Sequence, residues 1–181
     1  MPYKCDMTKR DFTRLILNGK KDVLQVFLEL LKAERIKFCV IGGLAVNAYA
    51  EPVVSLDLDI VVAAGSIKVL KKALHGEFKA REFPDSLNIS CRGSDLRIQV
   101  QTDPRYQAFL AKSGTKDVLG YKMPVARVED VLQGKIWAAL DDSRRPSKRQ
   151  KDLADILRLT ERRKTLIALV PAELKSRLSL S

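Results

Sequence analysis

Asp57 and Asp59 stand two residues apart in a run, Leu56 to Val62, that is otherwise apolar. Side chains alternate on an extended strand, so both carboxylates emerge on one face while Leu56, Leu58 and Ile60 turn to the other. Their Cα atoms are then about 7 Å apart. At that spacing two carboxylates can share one or two divalent cations, and the ions offset the repulsion between the like charges. Taken alone, the pair also suits a solvated strand edge, because aspartate is disfavoured inside strands but common near their ends. A second feature lies upstream. Gly42-Gly43 follows a β-type run, Lys37 to Ile41, and precedes a helical stretch, Leu44 to Ala50. Lacking side chains, the glycine backbone can approach a phosphate, and a helix start offers free N–H groups. Either feature alone is weak; strand, Gly-Gly, helix, strand with Asp-x-Asp is a far more specific order.

The elements around this constellation are legible from periodicity. Thr8 to Arg35 is expected to be helical, with Phe12, Leu15, Ile16, Leu24, Phe27, Leu28 and Leu31 on one face and a break at Asn18-Gly19. Glu51-Pro52 closes the helix after the glycines. Ser66 is the expected N-cap of a helix through Leu74, His75 and Gly76. Leu87 to Cys91 and Leu96 to Gln101 form a hairpin across Arg92-Gly93-Ser94-Asp95. Pro104 opens a short helix to Lys112, and Val118 to Ala126 reads as extended. Val128 to Asp142, Arg149 to Arg162 and Pro171 to Leu178 read as helices. The expectation is an α/β (α+β) fold, a mixed β-sheet core flanked by helices with a helical C-terminal half. It is read as a single unit over residues 1–181: a helical segment 1–36, an α/β core 37–126 and C-terminal helices 127–181.

Phe38 to Val62, FCVIGGLAVNAYAEPVVSLDLDIVV, resembles the signature of the DNA polymerase β-type nucleotidyltransferase superfamily. In particular it resembles the small bacterial AbiEii-type nucleotidyltransferases, toxins of type IV toxin–antitoxin systems. The matching positions are Gly42, Gly43, Tyr49, Ser55, Asp57 and Asp59. Further on, Lys135 within Gln133-Gly134-Lys135-Ile136-Trp137, and Lys151-Asp152 with Asp155, match that family's helical lysine and Lys-Asp pair. The resemblance spans about Phe38 to Leu159.

It implies a metal-dependent transfer of a nucleoside monophosphate from a nucleoside triphosphate to an acceptor hydroxyl on RNA, such as tRNA, or on a protein. Mg²⁺ or Mn²⁺ would sit on Asp57 and Asp59, with Gly42, Gly43 and Ser55 near phosphate. Lys135 or Lys151 would neutralise phosphate charge, with Lys135 placed among the catalytic residues. A helix-surface lysine is also commonly just solvated, and Asp152 can instead cap a helix or pair with a nearby cation. A toxin role would bring a cognate antitoxin as partner.

The pattern breaks at one position. Active members carry a third carboxylate where this chain has Gln99, in Arg97-Ile98-Gln99-Val100-Gln101. An amide oxygen coordinates weakly and takes no proton as a general base. Asp95 and Asp103 lie on the same strand face but about 13 Å away along the chain. The alternative reading is therefore a degenerate member that binds nucleotide or RNA without turnover. A third reading treats Asp57 and Asp59 as structural.

The formal charge of +11 over 181 residues suits polyanionic partners, but it is spread over most of the chain and equally suits a solvated basic surface with no specific partner. Arg144-Arg145-Pro146-Ser147-Lys148-Arg149-Gln150-Lys151 holds five cations in eight residues, and Arg144, Arg145, Lys148 and Arg149 are candidate nucleic-acid contacts, against a plain solvated turn. Cys5, Cys39 and Cys91 and the single histidine, His75, show no zinc-ligand spacing. No apolar run approaches the length needed to span a bilayer. The N-terminal residues lack the apolar stretch of a secretory signal, so the expected location is cytoplasmic.

Overall fold

The computed structural model describes residues 7–18 and 21–180. Seven strands form one mixed sheet: β1 (Phe38–Ile41), β2 (Asp57–Val62), β3 (Phe78–Phe83), β4 (Ser86–Cys91), β5 (Arg97–Gln101), β6 (Gly114–Val118) and β7 (Tyr121–Val125). Their order is β3-β4-β5-β2-β1-β7-β6. β1 runs antiparallel to β2 and parallel to β7, and β2 runs parallel to β5.

The helices are α1 (Lys9–Ile16), α2 (Val23–Ala33), α3 (Gly42–Val46), α4 (Ile67–Ala73), α5 (Val128–Leu140), α6 (Pro146–Arg162) and α7 (Ala172–Leu178), with a 3₁₀ segment at Pro104–Lys112. The mixed sheet flanked by helices is the expected fold class. Among the described residues no helix is long and apolar enough to cross a membrane.

Burial follows position in the sheet. In β1 and β2, at its centre, Cys39, Val40, Ile41, Leu58, Ile60, Val61 and Val62 are all buried, as a strand covered on both sides requires. β4 and β5 alternate. Leu87, Ile89, Ile98 and Val100 enter the core, while Asn88, Ser90, Arg97 and Gln99 face outward. One apolar cluster runs through the molecule and includes Phe27, Leu31, Leu132, Ile136, Ile156 and Leu174.

Local chemistry sets the boundaries. Thr8 and Asp11 close a capping box at α1. Asp22 caps α2 and also accepts from Arg10 and the Tyr121 hydroxyl, tying α1, α2 and β7 together. The helix break falls near Asn18, which sits at φ 51°; Gly19 lies outside the described residues. Cys39 and Cys91 are buried free thiols, and Cys5 also lies outside the described residues.

Several expectations need correction. α3 starts at Gly42 itself and ends by Val46, so the glycines form its first turn rather than a loop before it. Ser66 occupies the N-cap position of α4 but its side chain makes no cap hydrogen bond. The region from Val118 is a hairpin, β6–β7, turning at Leu119-Gly120, both with positive φ, as a tight two-residue turn demands. α6 begins at Pro146, where proline suits the first helical position. β3 carried no period-two signal, because Lys79 and Arg81 alternate with Ala80 and Glu82 and the strand is largely exposed.

Candidate active site

β2 places Asp57 and Asp59 on one face, at the wall of a cavity of about 640 Å³. Gly42 lies against Asp59. Ile41 pairs with Asp59 across β1 and β2, so the turn into α3 passes directly over this carboxylate. Gly42 adopts φ +66° there, a conformation that favours glycine. Asp59 enters no ion pair and no side-chain hydrogen bond among the described residues. Burial raises its pKa; Lys135 opposes that shift, and Asp57 adds to it.

Asp57 is differently placed. Arg97 Nε lies 2.7 Å from Asp57 Oδ1, and Lys148 Nζ lies 3.8 Å from Oδ2. The donor set suits a hard divalent cation: two carboxylates beside the Gln99 amide, one of them without a cationic partner. A metal at Asp57 competes with Arg97. No group of three or more His, Cys, Asp or Glu able to hold a metal occurs among the described residues.

The strand register extends the site sideways. Asp59 pairs with Gln99, which pairs with Asn88, which pairs with Arg81. In the next row Asp57, Arg97, Ser90 and Lys79 align in the same way. The floor of the cavity is therefore a polar, cationic sheet face. Gln99 stands directly beside Asp59, so the position expected for a third acid does adjoin the pair. Tyr106 and Phe109 also line the cavity and join Trp137 in an aromatic cluster with centroids 5.2–5.9 Å apart.

Lys135 lines the cavity, yet its ammonium is 2.9 Å from Asp152 and 2.7 Å from Asp155. Burial pulls its pKa down, but Asp155 and Asp152 outweigh burial and the net shift is upward. Arg144 completes Asp152 at 2.7 Å, and Arg158 completes Asp155 at 2.6 Å. Arg158 also donates to Asn47 Oδ1 and to the Glu51 carbonyl. Asn47 in turn makes two hydrogen bonds with the Val53 backbone. A chain of charges thus runs from Lys135 through α6 to the segment joining α3 to β2.

Ser55 accepts from the Asp57 backbone N–H and lies beside Gly43, but neither Ser55 nor Gly43 lines the cavity. Tyr49 donates its hydroxyl to the Ala126 carbonyl, a packing role. Lys151 is exposed and outside the cavity; Lys148 and Arg144 are the cations that reach it from this segment. The eight-residue basic stretch is not a free patch. Arg144, Lys148 and Arg149 face Asp152, Asp57 and Asp142 respectively, which leaves Arg145 and Lys151 without an acid among the described residues. Sequence reasoning missed Asn47, Arg158 and Lys79, and did not read Arg97 as the partner of Asp57. Only the register of β3 and β5 brings the last two to the site.

No protein-family model matches the sequence, and no curated protein matches it. Solved structures do resemble it. The solution structure of the antibiotic-resistance factor ANT(2'')-Ia superposes with a TM-score of 0.60 at 13% identity, over 87% of this chain and 91% of that one. An antigenic nucleotidyltransferase-like protein from Paracoccidioides brasiliensis gives 0.54 at 18% identity, over 88% and 91%. The lincomycin-bound lincosamide antibiotic adenylyltransferase LnuA gives 0.52 at 13%, over 79% and 99%. The chain has the fold these nucleotidyltransferases share.

Proposed function

We propose that the protein is a nucleotidyltransferase that moves a nucleoside monophosphate from a nucleoside triphosphate to an acceptor hydroxyl. One observation carries the reading: Asp57 and Asp59 face the cavity together beneath the Gly42 turn, on a fold shared with nucleotidyltransferases. The acceptor oxygen attacks the α-phosphorus and forms a new P–O bond. The bond to the β-phosphate breaks, pyrophosphate leaves with the bonding pair, and the hydroxyl proton passes to water, since Gln99 accepts none.

Asp57 and Asp59 are the residues that would hold Mg²⁺ or Mn²⁺. A bound divalent cation supplies charge neutralisation on the triphosphate and a lowered pKa at the attacking hydroxyl. Gly42 brings bare backbone to the cavity wall, while Gly43 and Ser55 lie behind it, Ser55 fixing the start of the Asp57 strand. Arg144 and Lys148 give the cavity wall positive charge. Lys135 holds α5 to α6 and keeps its own positive charge close to Asp59.

The solved neighbours point to antibiotic acceptors. Arg97, Lys79 and Arg81 on the cavity floor disfavour an acceptor that is itself polycationic. The resemblance supports an RNA acceptor, such as tRNA, or a protein hydroxyl, and a toxin role balanced by a cognate antitoxin. Growth arrest on expression, relieved by a neighbouring gene product, tests that role. A second reading, nucleotide or RNA binding without turnover, is favoured by Gln99 standing beside Asp59.

Titration with each triphosphate in Mg²⁺ or Mn²⁺ tests the site itself. Metal-dependent binding by the wild type, lost in Asp57→Ala/Asp59→Ala, is expected. Equal binding by the double variant removes the site from the account.

A further inference from the structure

We infer that the outer sheet face, β3 to β5, is a platform for single-stranded RNA that leads a terminal hydroxyl to the carboxylate pair. The inference deepens the transferase reading and rests on it for its purpose, though not for its test. Lys79, Arg81 and Phe83 project from β3 on the same face as Arg97, and all four are exposed. All four also line the cavity that holds Asp57 and Asp59. Neither Lys79 nor Arg81 has a carboxylate partner among the described residues. Of the neighbouring acids, Glu82 points to the opposite face and pairs with Lys71 at 2.6 Å, and Asp103 pairs with Arg105 at 2.6 Å; Asp85, in the turn after Phe83, is exposed and has no ion-pair partner among the described residues.

The aromatic beside these cations selects the ligand. Phe83 is 42% exposed, and the Arg81 guanidinium lies 5.0 Å from its ring centroid. A buried core had no use for that ring, and a purely phosphate-binding surface needs none. Cations interleaved with an exposed aromatic suit a strand whose bases are unstacked and free to lie on the ring. Asn88, Ser90, Gln99 and Gln101 fill the rows between, offering neutral hydrogen-bonding groups and no like charge to repel a phosphate backbone. From Lys79 on β3 to Asp57 on β2 is three strand spacings, about 14 Å. The polyanion thus enters along the free cations and ends at the acids. The basic stretch at the start of α6, by contrast, has most of its charge engaged by its own acids.

The test is fluorescence anisotropy of a labelled oligouridylate with the full chain, without nucleotide or metal. Binding is expected to weaken steeply with salt. Lys79→Glu/Arg81→Glu should lower affinity at least about tenfold and flatten the salt slope by about 1 to 2. Phe83→Ala should weaken binding about 5- to 100-fold, and Phe83→Trp should restore it. Arg145→Glu should change affinity by less than about threefold. The proposal fails if wild type does not bind, if Lys79→Glu/Arg81→Glu binds like wild type, or if Phe83→Trp is as weak as Phe83→Ala. A phosphopeptide or duplex RNA that competes as well as the oligouridylate also overturns it. Because triphosphate and metal are absent, failure here is separate from failure of metal-dependent nucleotide binding.

Discussion

The Asp59 carboxylate fills the space that a side chain on residue 42 would take: a Cβ built on Gly42 would stand 2.1 Å from Asp59 Oδ2 and 2.8 Å from its Cβ. The turn into α3 and the acid on β2 therefore fit only because residue 42 has no side chain, and the φ of +66° reinforces that choice.

Gly42→Ala should destabilise the protein by about 1–3 kcal/mol, from backbone strain and displacement of Asp59. Metal-dependent nucleotide binding should fall at least about tenfold. At Gly43 an added Cβ meets only Ser55 Oγ, at 3.9 Å, so Gly43→Ala should stay within about 1 kcal/mol of wild type. Urea denaturation compares the two; equal damage at both positions contradicts the asymmetry.

Asp59 links stability to pH. Its folded pKa lies above the usual 3.8, chiefly through burial, so the native chain holds this proton to higher pH than the unfolded chain does. Stability therefore falls as pH rises through the window between the two values and stays lower above it. Asp59→Asn should melt above wild type at neutral pH without divalent cation, and the gap should close below pH 3.8. Mn²⁺ should raise the melting temperature of wild type but not of Asp59→Asn. A gap independent of pH would show that packing, not charge, separates them.

Gln99→Asp puts a carboxylate beside Asp59 on the paired strand. Turnover should rise by about 10²-fold or more, the usual contribution of a positioned general base. A folded variant with no gain would mean that residue 99 is not the missing acid.

Lys135→Met leaves Asp152 and Asp155 with one arginine each in a buried setting. The expected loss is about 3–5 kcal/mol, whereas Lys151→Met, at an exposed position, should stay within about 0.5 kcal/mol. Near-neutral stability for Lys135→Met with lost transfer would make Lys135 a direct phosphate ligand instead of a helix tie.

The sequence was most legible where one physical rule dominated. The apolar runs of β1 and β2, the alternation of β4 and β5, and the glycine turn before an Asp-x-Asp strand each have a distinct period or spacing. β3 was hidden because an exposed edge strand with charges on both faces has no alternation to detect. The hairpin at Leu119-Gly120 reads in sequence as one extended run because leucine is not a turn former and the single glycine breaks no period. The site's cations were hardest. Arg97 meets Asp57 only through the parallel pairing of β2 with β5, and Arg158 meets Asn47 across 111 positions of chain. The basic stretch Arg144 to Lys151 looked free in sequence because three of its partners, Asp57, Asp142 and Asp152, lie outside it or at its edge.

The most direct measurement follows label from the α-phosphate of each nucleoside triphosphate, with Mg²⁺ or Mn²⁺, into tRNA, single-stranded RNA and protein acceptors. The account predicts labelled acceptor and released pyrophosphate with the wild type, more of both with Gln99→Asp, and neither with Asp57→Ala/Asp59→Ala. Label that persists in the double variant, or no label from any triphosphate in wild type and Gln99→Asp alike, would contradict nucleotidyl transfer at this site.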